Sequence, residues 1–252
     1  MTSAKAKLIR GGGDENAPPL VFIHGFGADH MTWAYMAPNF IYSHNVWTLD
    51  LPGHGSADNE VGDVTVEGLA ESVWQALQEK VSTPVTLVGH SLGGAIAMEL
   101  QQRYAADIRQ LVLLAPAGLV PVQNAHLITR LPNLRTAEAA EQHLLDLVAV
   151  KRLITPPIVD YLLMSLSSEQ RRAALKEVAD ALMARQKLVS SVPQNTLLIW
   201  GEDDMIFPPA MIDERSLGAN VHLLPGIGHL LQAEAAQKVA RIISENLGVD
   251  ET

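Results

Sequence analysis

The sequence predicts an α/β protein: a doubly wound, mostly parallel sheet with a small helical cap inserted late in the chain. Three observations predict it. Short all-apolar runs, the signature of strands covered on both faces, recur between Leu20 and Leu224. Apolar residues at helical spacing fill the intervals, and strands alternating with helices make a parallel sheet. Over residues 119–192 the β pattern disappears and only helical stripes remain. The expected division is a core of residues 1–118 and 193–252 and a helical cap of residues 119–192.

Taken in order, residues 6–10 read as a short edge strand, and Gly11-Gly12-Gly13-Asp14-Glu15-Asn16-Ala17-Pro18-Pro19 is a loop by composition. Leu20-Val21-Phe22-Ile23 is a buried strand that ends at His24-Gly25-Phe26-Gly27. A loop at the carboxyl end of a parallel strand is where such sheets place chemistry. Met31, Trp33, Tyr35 and Met36 follow at helical spacing. Asn45-Val46-Trp47-Thr48-Leu49 is the next strand, leading into Asp50-Leu51-Pro52-Gly53-His54-Gly55-Ser56. Val66, Leu69, Ala70, Val73, Trp74 and Leu77 then form one apolar helical stripe. Val85-Thr86-Leu87-Val88 is a strand that breaks at Gly89 and resumes as the helical Ala95-Ile96-Ala97-Met98-Glu99-Leu100. Leu111-Val112-Leu113-Leu114-Ala115, Thr196-Leu197-Leu198-Ile199-Trp200 and Val221-His222-Leu223-Leu224 complete the buried strands.

Inside the insertion, Ala140, Leu144, Leu147 and Val148 share a stripe. Thr155-Pro156 opens another helix, and Ser167 with Gln170 makes a capping box ahead of Leu175, Val178 and Leu182. A last helix is expected over about residues 232–247, stopped by Gly248.

Charge and composition exclude several function classes. The 252 residues carry 18 Lys and Arg against 28 Asp and Glu, and the net charge of −10 opposes nucleic acid and anionic lipid surfaces. The absence of cysteine removes disulfides, thiolate metal sites and thiol redox chemistry. The longest apolar stretch, residues 111–122, is broken by Pro116 and Pro121 and falls short of the ~20 residues that span a bilayer. Residues 1–11 lack the apolar core of a signal peptide, so a soluble, cytoplasmic protein is expected, its oligomeric state open.

The chemistry centres on Gly89-His90-Ser91-Leu92-Gly93. A strand, a Gly-x-Ser-x-Gly turn and a helix form a nucleophile elbow, sharp enough to need glycine two residues either side of the serine. The Leu92 N–H, opening the helix, can face a developing oxyanion. A serine hydroxyl is a poor nucleophile at neutral pH, so Ser91 requires a histidine base and a carboxylate on loops after later strands. Trp200-Gly201-Glu202-Asp203-Asp204-Met205-Ile206-Phe207-Pro208 and Pro225-Gly226-Ile227-Gly228-His229 supply both in that order. Glu202, Asp203 and Asp204 have no histidine at ligand spacing, so no metal is expected. The elbow lacks the lysine of a phosphate loop, and no cofactor is implied.

From about residue 20 to 247 the chain resembles the α/β-hydrolase superfamily, through His24-Gly25-Phe26-Gly27, Asp50-Leu51-Pro52-Gly53-His54-Gly55-Ser56, the elbow, and Gly201-x-x-Asp204 with Gly226-x-Gly228-His229. The resemblance implies Ser91 as nucleophile, Asp204 as acid and His229 as base, with an oxyanion hole of the Phe26 and Leu92 backbone N–H groups. Asp203 and Glu202 rival Asp204; the family spacing from Gly201 favours Asp204. His24-Gly25-Phe26-Gly27-Ala28-Asp29, Lys151-Arg152-Leu153 and the run from Leu224 through His229 to Ala236 resemble the hydrolase-like C-terminal domain of the acetyltransferase component of acetoin dehydrogenase complexes. With no lipoyl-bearing segment or separate acyltransferase domain read in this chain, that component's transacetylase activity is not implied, and the resemblance implies a standalone serine hydrolase.

The implied activity is cleavage of small-molecule carboxylic esters of small to medium acyl groups through an acyl-enzyme. Hydrolysis of a C–C bond in a β-diketone-type substrate, or a non-catalytic accessory module of an acyltransfer complex, are the alternatives. Met31, Trp33, Leu144, Tyr161, Leu162, Met164 and Phe207 are candidate walls of an acyl pocket, against a plain core role for each. His24, His54 and His90 are expected to brace loops by hydrogen bonding or packing. His30, His44, His126, His143 and His222 have no second motif residue nearby.

Overall fold

The computed structural model describes residues 5–185, 188–212 and 218–248. Its sheet comprises β1 (Lys7–Gly12), β2 (Pro19–Ile23), β3 (Asn45–Asp50), β4 (Val85–His90), β5 (Ile108–Leu114), β6 (Leu197–Gly201) and β7 (Asn220–Leu224). The order is β1-β3-β2-β4-β5-β6-β7. β1 lies antiparallel to β3, and every other pairing is parallel. All residues of β2, β3, β4 and β6 are buried, which is why each reads as a near-continuous apolar run. β7, expected to be buried, is largely half-exposed or exposed because it is the sheet's edge.

The helices are α1 (Val66–Lys80), α2 (Leu92–Arg103), α3 (His126–Thr129), α4 (Ala137–Leu147), α5 (Pro156–Ser165), α6 (Glu169–Ala184), α7 (Leu231–Glu234) and α8 (Ala236–Leu247). Several differ from expectation. The segment around Met31 and Trp33 is two short 3₁₀ turns, His30–Trp33 and Ala37–Phe40. Asp29 caps the first by accepting from Met31 N–H at 2.8 Å, and Pro38 supplies no donor at the start of the second. The cap of α6 is Ser168, one residue later than the expected Ser167, and its Oγ accepts from Arg171 N–H at 3.1 Å. Thr155 precedes Pro156 at the start of α5, but its hydroxyl makes no cap bond. The last helix is broken at Ala235, whose φ of −140° and ψ of 36° leave helical geometry.

The main apolar core joins the sheet to its flanking helices, and a second cluster gathers Leu131, Leu134, Ala140, Leu144, Val159, Leu162, Leu166 and Leu175. All of the second cluster comes from between β5 and β6. The α6 residues Val178, Ala179 and Leu182 belong to the main core, so α6 seats the inserted helices on the sheet. The chain runs from β2 outward to β3 and returns to β4 on the other side, so the carboxyl ends of β2 and β4 flank the switch point of the sheet.

Candidate active site

At this switch point β4 ends at His90 and α2 begins at Leu92, leaving Ser91 alone to turn the chain. Its φ of 51° and ψ of −115° lie where a non-glycine residue costs about 1–3 kcal/mol. Backbone bonds hold it there: Ser91 N–H donates to Leu114 O at 3.0 Å, and Ser91 O accepts from Ala117 N–H at 2.9 Å and Gly94 N–H at 3.0 Å. The turn is as tight as the sequence suggests. A Cβ on Gly89 would stand 2.4 Å from Gly93 O, and one on Gly93 would stand 2.1 Å from Ile23 O.

His229 lies in the loop after β7, and its Nδ1–H donates to Asp204 Oδ2 at 2.8 Å. Trp200 Nε1–H donates to the same oxygen at 3.1 Å, while Ile206 and Phe207 N–H donate to Oδ1 at 2.8 and 3.0 Å. Burial would raise the Asp204 carboxyl, but the electrostatic interaction with the His229 ring and these hydrogen bonds outweigh it and hold Asp204 below the ordinary carboxylate range. An ionised Asp204 needs a donor at Nδ1, which leaves Nε2 as the ring's acceptor. Glu202 and Asp203 stand exposed, so the structure brings only Asp204 of the three to His229.

The His229 ring packs between His90, with centroids 4.8 Å apart, and Phe207, at 5.7 Å. His90 Nε2–H donates to His229 O at 2.9 Å, a tighter role than packing beside the elbow. His24 braces as expected: Leu51 N–H donates to its Nε2 at 3.0 Å, tying the loop after β2 to that after β3. His54 Nδ1–H donates to Pro52 O at 3.0 Å.

Ser91, His229 and Phe26 line one cavity of about 50 Å³, walled by Leu127, Ile128, Leu131, Leu147 and Leu182 from the inserted helices. Leu92 contributes the first backbone N–H of α2, at the positive end of the helix dipole. None of the seven expected wall residues lines this cavity, although Phe207 lines an adjoining one of about 320 Å³. Trp33 is fully buried beside Phe22, and Leu144 and Leu162 belong to the second apolar cluster. Met31 and Met164 are more than half exposed. Tyr161 OH donates to Asp29 Oδ2 at 2.6 Å, and Phe207 packs behind the His229 ring. The stripes of α4 and α5 face each other, and helical spacing alone does not say which stripe meets which. His143 lines the cavity without any signal in the sequence; burial and the Arg130 charge lower it to about 4.

Among the described residues, one set of metal-capable side chains comes together, Asp29, His30 and Asp50. Their oxygens are already engaged. Asp50 accepts from Ser56 N–H and Oγ–H at 2.7 Å each and from His30 Nδ1–H at 2.9 Å, and Asp29 accepts from Met31 and Tyr161. His30, expected to have no motif partner, is therefore part of a hydrogen-bonded brace.

The pattern described as the alpha/beta hydrolase family matches residues 20–242. The chain belongs to that family. This α/β hydrolase is 31% identical over 232 residues to the dihydrolipoyllysine-residue acetyltransferase component of the acetoin cleaving system of Pseudomonas putida. That alignment covers 90% of this chain and 62% of the Pseudomonas protein, so the chain spans under two thirds of this relative's length. It is 25% identical over 263 residues to the monoacylglycerol lipase ABHD6 of Homo sapiens, covering 91% of this chain and 75% of that one. Among solved structures, the meta-cleavage product hydrolase from Pseudomonas fluorescens IP01 shares the fold, with a TM-score of 0.82, 19% identity, and 96% and 94% of the two chains covered. Among the described residues no helix is long and apolar enough to cross a membrane.

Proposed function

We propose that this α/β hydrolase is a serine esterase, cleaving carboxylic esters of small to medium acyl groups through an acyl-enzyme. The supporting observation is the buried Asp204–His229 hydrogen bond of 2.8 Å opening into the same cavity as the strained Ser91. In this reading His229 Nε2 takes the Ser91 proton as Oγ attacks the ester carbonyl. Asp204 stabilises the imidazolium, and the Phe26 and Leu92 N–H groups hold the oxyanion. The alcohol leaves with the proton from His229. A water molecule, deprotonated by His229, then attacks the acyl group, and Ser91 is restored. The lipase named among the relatives supports ester chemistry.

A fluorophosphonate probe tests this reading, since it needs an activated serine: covalent labelling at Ser91 is expected. An unlabelled protein would instead fit a hydrolase-like accessory module. Asp204→Asn is expected to lower kcat/KM by roughly 10³- to 10⁴-fold, because the amide favours the wrong imidazole tautomer, whereas exposed Asp203→Asn changes it by about twofold at most. Equal losses would reassign the acid.

We also propose that residues 119–192 act as a cap that sets acyl choice. The cavity of about 50 Å³ is far below the ~300–1,000 Å³ of common ligand sites, so a long acyl chain enters only if the wall moves. Leu182 lines this cavity and also an adjoining one of about 320 Å³, with Gly118, Met183 and Phe207. Leu182→Ala should join the two spaces and raise the ratio of p-nitrophenyl octanoate to acetate hydrolysis about tenfold or more, at a stability cost of about 2–5 kcal/mol. An unchanged ratio in the folded variant would mean that Leu182 does not set acyl length.

A further inference from the structure

Five positions after His229, where the last helix breaks, the half-buried carboxylate of Glu234 gathers backbone N–H groups from two separate segments. Its Oε1 accepts from Gly228 at 3.1 Å and from Leu230 at 3.2 Å, the residues on either side of His229. Its Oε2 accepts from Ala149 at 2.7 Å and Val150 at 3.0 Å, just beyond α4, and from Gly228 at 3.1 Å. His229 N–H donates to Leu147 O at 2.9 Å, so the residues flanking α4's end also hold the histidine directly. The packing leaves no room for a side chain at position 228. A Cβ there would stand 2.8 Å from both Ala149 N and Leu147 O and 3.0 Å from Glu234 Oε1.

We infer that Glu234 is a positioning residue for His229. Fixing the amides before and after His229 fixes the direction in which its ring leaves the backbone, and so how Nε2 is aimed into the cavity it shares with Ser91. The same carboxylate pins the inserted segment that carries the cavity-lining Leu147 to the loop that carries the base. The chemistry selects a carboxylate: two oxygens offer about four acceptor sites and no donor, and bonds to a charged acceptor are the stronger kind. Glutamine would aim an NH₂ at N–H donors. Aspartate, one methylene shorter, does not span both segments. This role rests on the serine-esterase reading, in which His229 is the base.

The test compares wild type with Glu234→Gln and Glu234→Asp, measuring kcat and KM on p-nitrophenyl acetate and octanoate, fluorophosphonate labelling rate from pH 5 to 9, and melting temperature. A misplacement of the base of about 1 Å is expected to lower kcat about 10- to 100-fold on both esters alike, with KM nearly unchanged and the acid limb of the labelling profile displaced. A folded Glu234→Gln with wild-type kcat, or one that loses only KM for octanoate, overturns the positioning role. Should both variants fail to fold, amide exchange of the wild type decides. Slow exchange of the Ala149, Val150, Gly228 and Leu230 amides supports the role, and exchange at open-loop rates overturns it. Wild type that is not labelled overturns the esterase reading and this role with it, whereas labelled wild type with an unimpaired Glu234→Gln overturns this role alone.

Discussion

Ser91→Ala is expected to lower ester turnover by roughly 10³- to 10⁶-fold while the fold persists, because members of a nucleophile–base–acid set act as a unit. The backbone bonds that hold position 91 involve its N–H and C=O, which alanine keeps. The positive φ costs alanine about what it costs serine, so the variant loses the attacking oxygen and little else. His229→Ala should remove as much activity but is the poorer experiment. It strips Asp204, 3% exposed, of its ring partner and leaves a buried carboxylate bonded to Trp200 Nε1 and two amides. Loss of activity there would mix chemistry with the cost of an underpaired buried charge. Steady-state hydrolysis of p-nitrophenyl acetate, read beside circular dichroism and melting temperature, checks both. Hydrolysis near the wild-type rate in pure Ser91→Ala would end the acyl-enzyme mechanism.

The parts of this architecture that were legible in the sequence are those where one residue type has one physical use. β2 and β4 are buried on both faces and so show no polar alternation, and Gly89 and Gly93 are required because other backbone lies within 2.4 Å of where a side chain would start. Asp204 was separable from Asp203 and Glu202 only by the family's spacing from Gly201, since composition treats all three alike. What stayed hidden depends on how elements face one another. Apolar stripes on α4 and α5 were readable, but Leu144 and Leu162 are taken up in a second cluster, and the cavity wall falls to Leu147 at the end of α4 and to Leu127, Ile128, Leu131 and Leu182. Position in the sheet was equally invisible: β7 carries the same kind of residues as β6 but has a neighbour on one side only. Glu234 is an ordinary helix-forming residue by composition, and its use appears only when residues 149, 150, 228 and 230 converge on it.

Acid is expected to destabilise this protein from about pH 6.5 downward, well before its carboxylates are protonated, because several imidazoles are buried in the neutral form. Burial, with His24 nearby, lowers His54 to about 3, and burial, with His229 nearby, lowers His90 to about 3. Burial and Arg130 take His143 to about 4, and burial lowers His24 and His44 as well. In the unfolded chain each takes up a proton near the ordinary histidine value of about 6.5. Between that value and the folded one the unfolded state holds more protons, so the slope of unfolding free energy against pH is positive and stability is lost as pH falls. Two pH units below 6.5, His54 and His90 would each have removed about 3 kcal/mol, at about 1.4 kcal/mol per unit. Together with His143 that approaches the ~5–15 kcal/mol by which a typical domain is stable. Asp50 and Asp204 are also held low, but their contribution is present above the ordinary carboxylate value and lost only below it, so they act later. Melting temperature should therefore be flat above about pH 7 and fall steeply between about pH 6.5 and 4.5, with circular dichroism lost by the lower value. A melting temperature unchanged from pH 7 to 4.5 would show that His54 and His90 take up their protons without cost, and that the loop after β3 and the end of β4 open to let them.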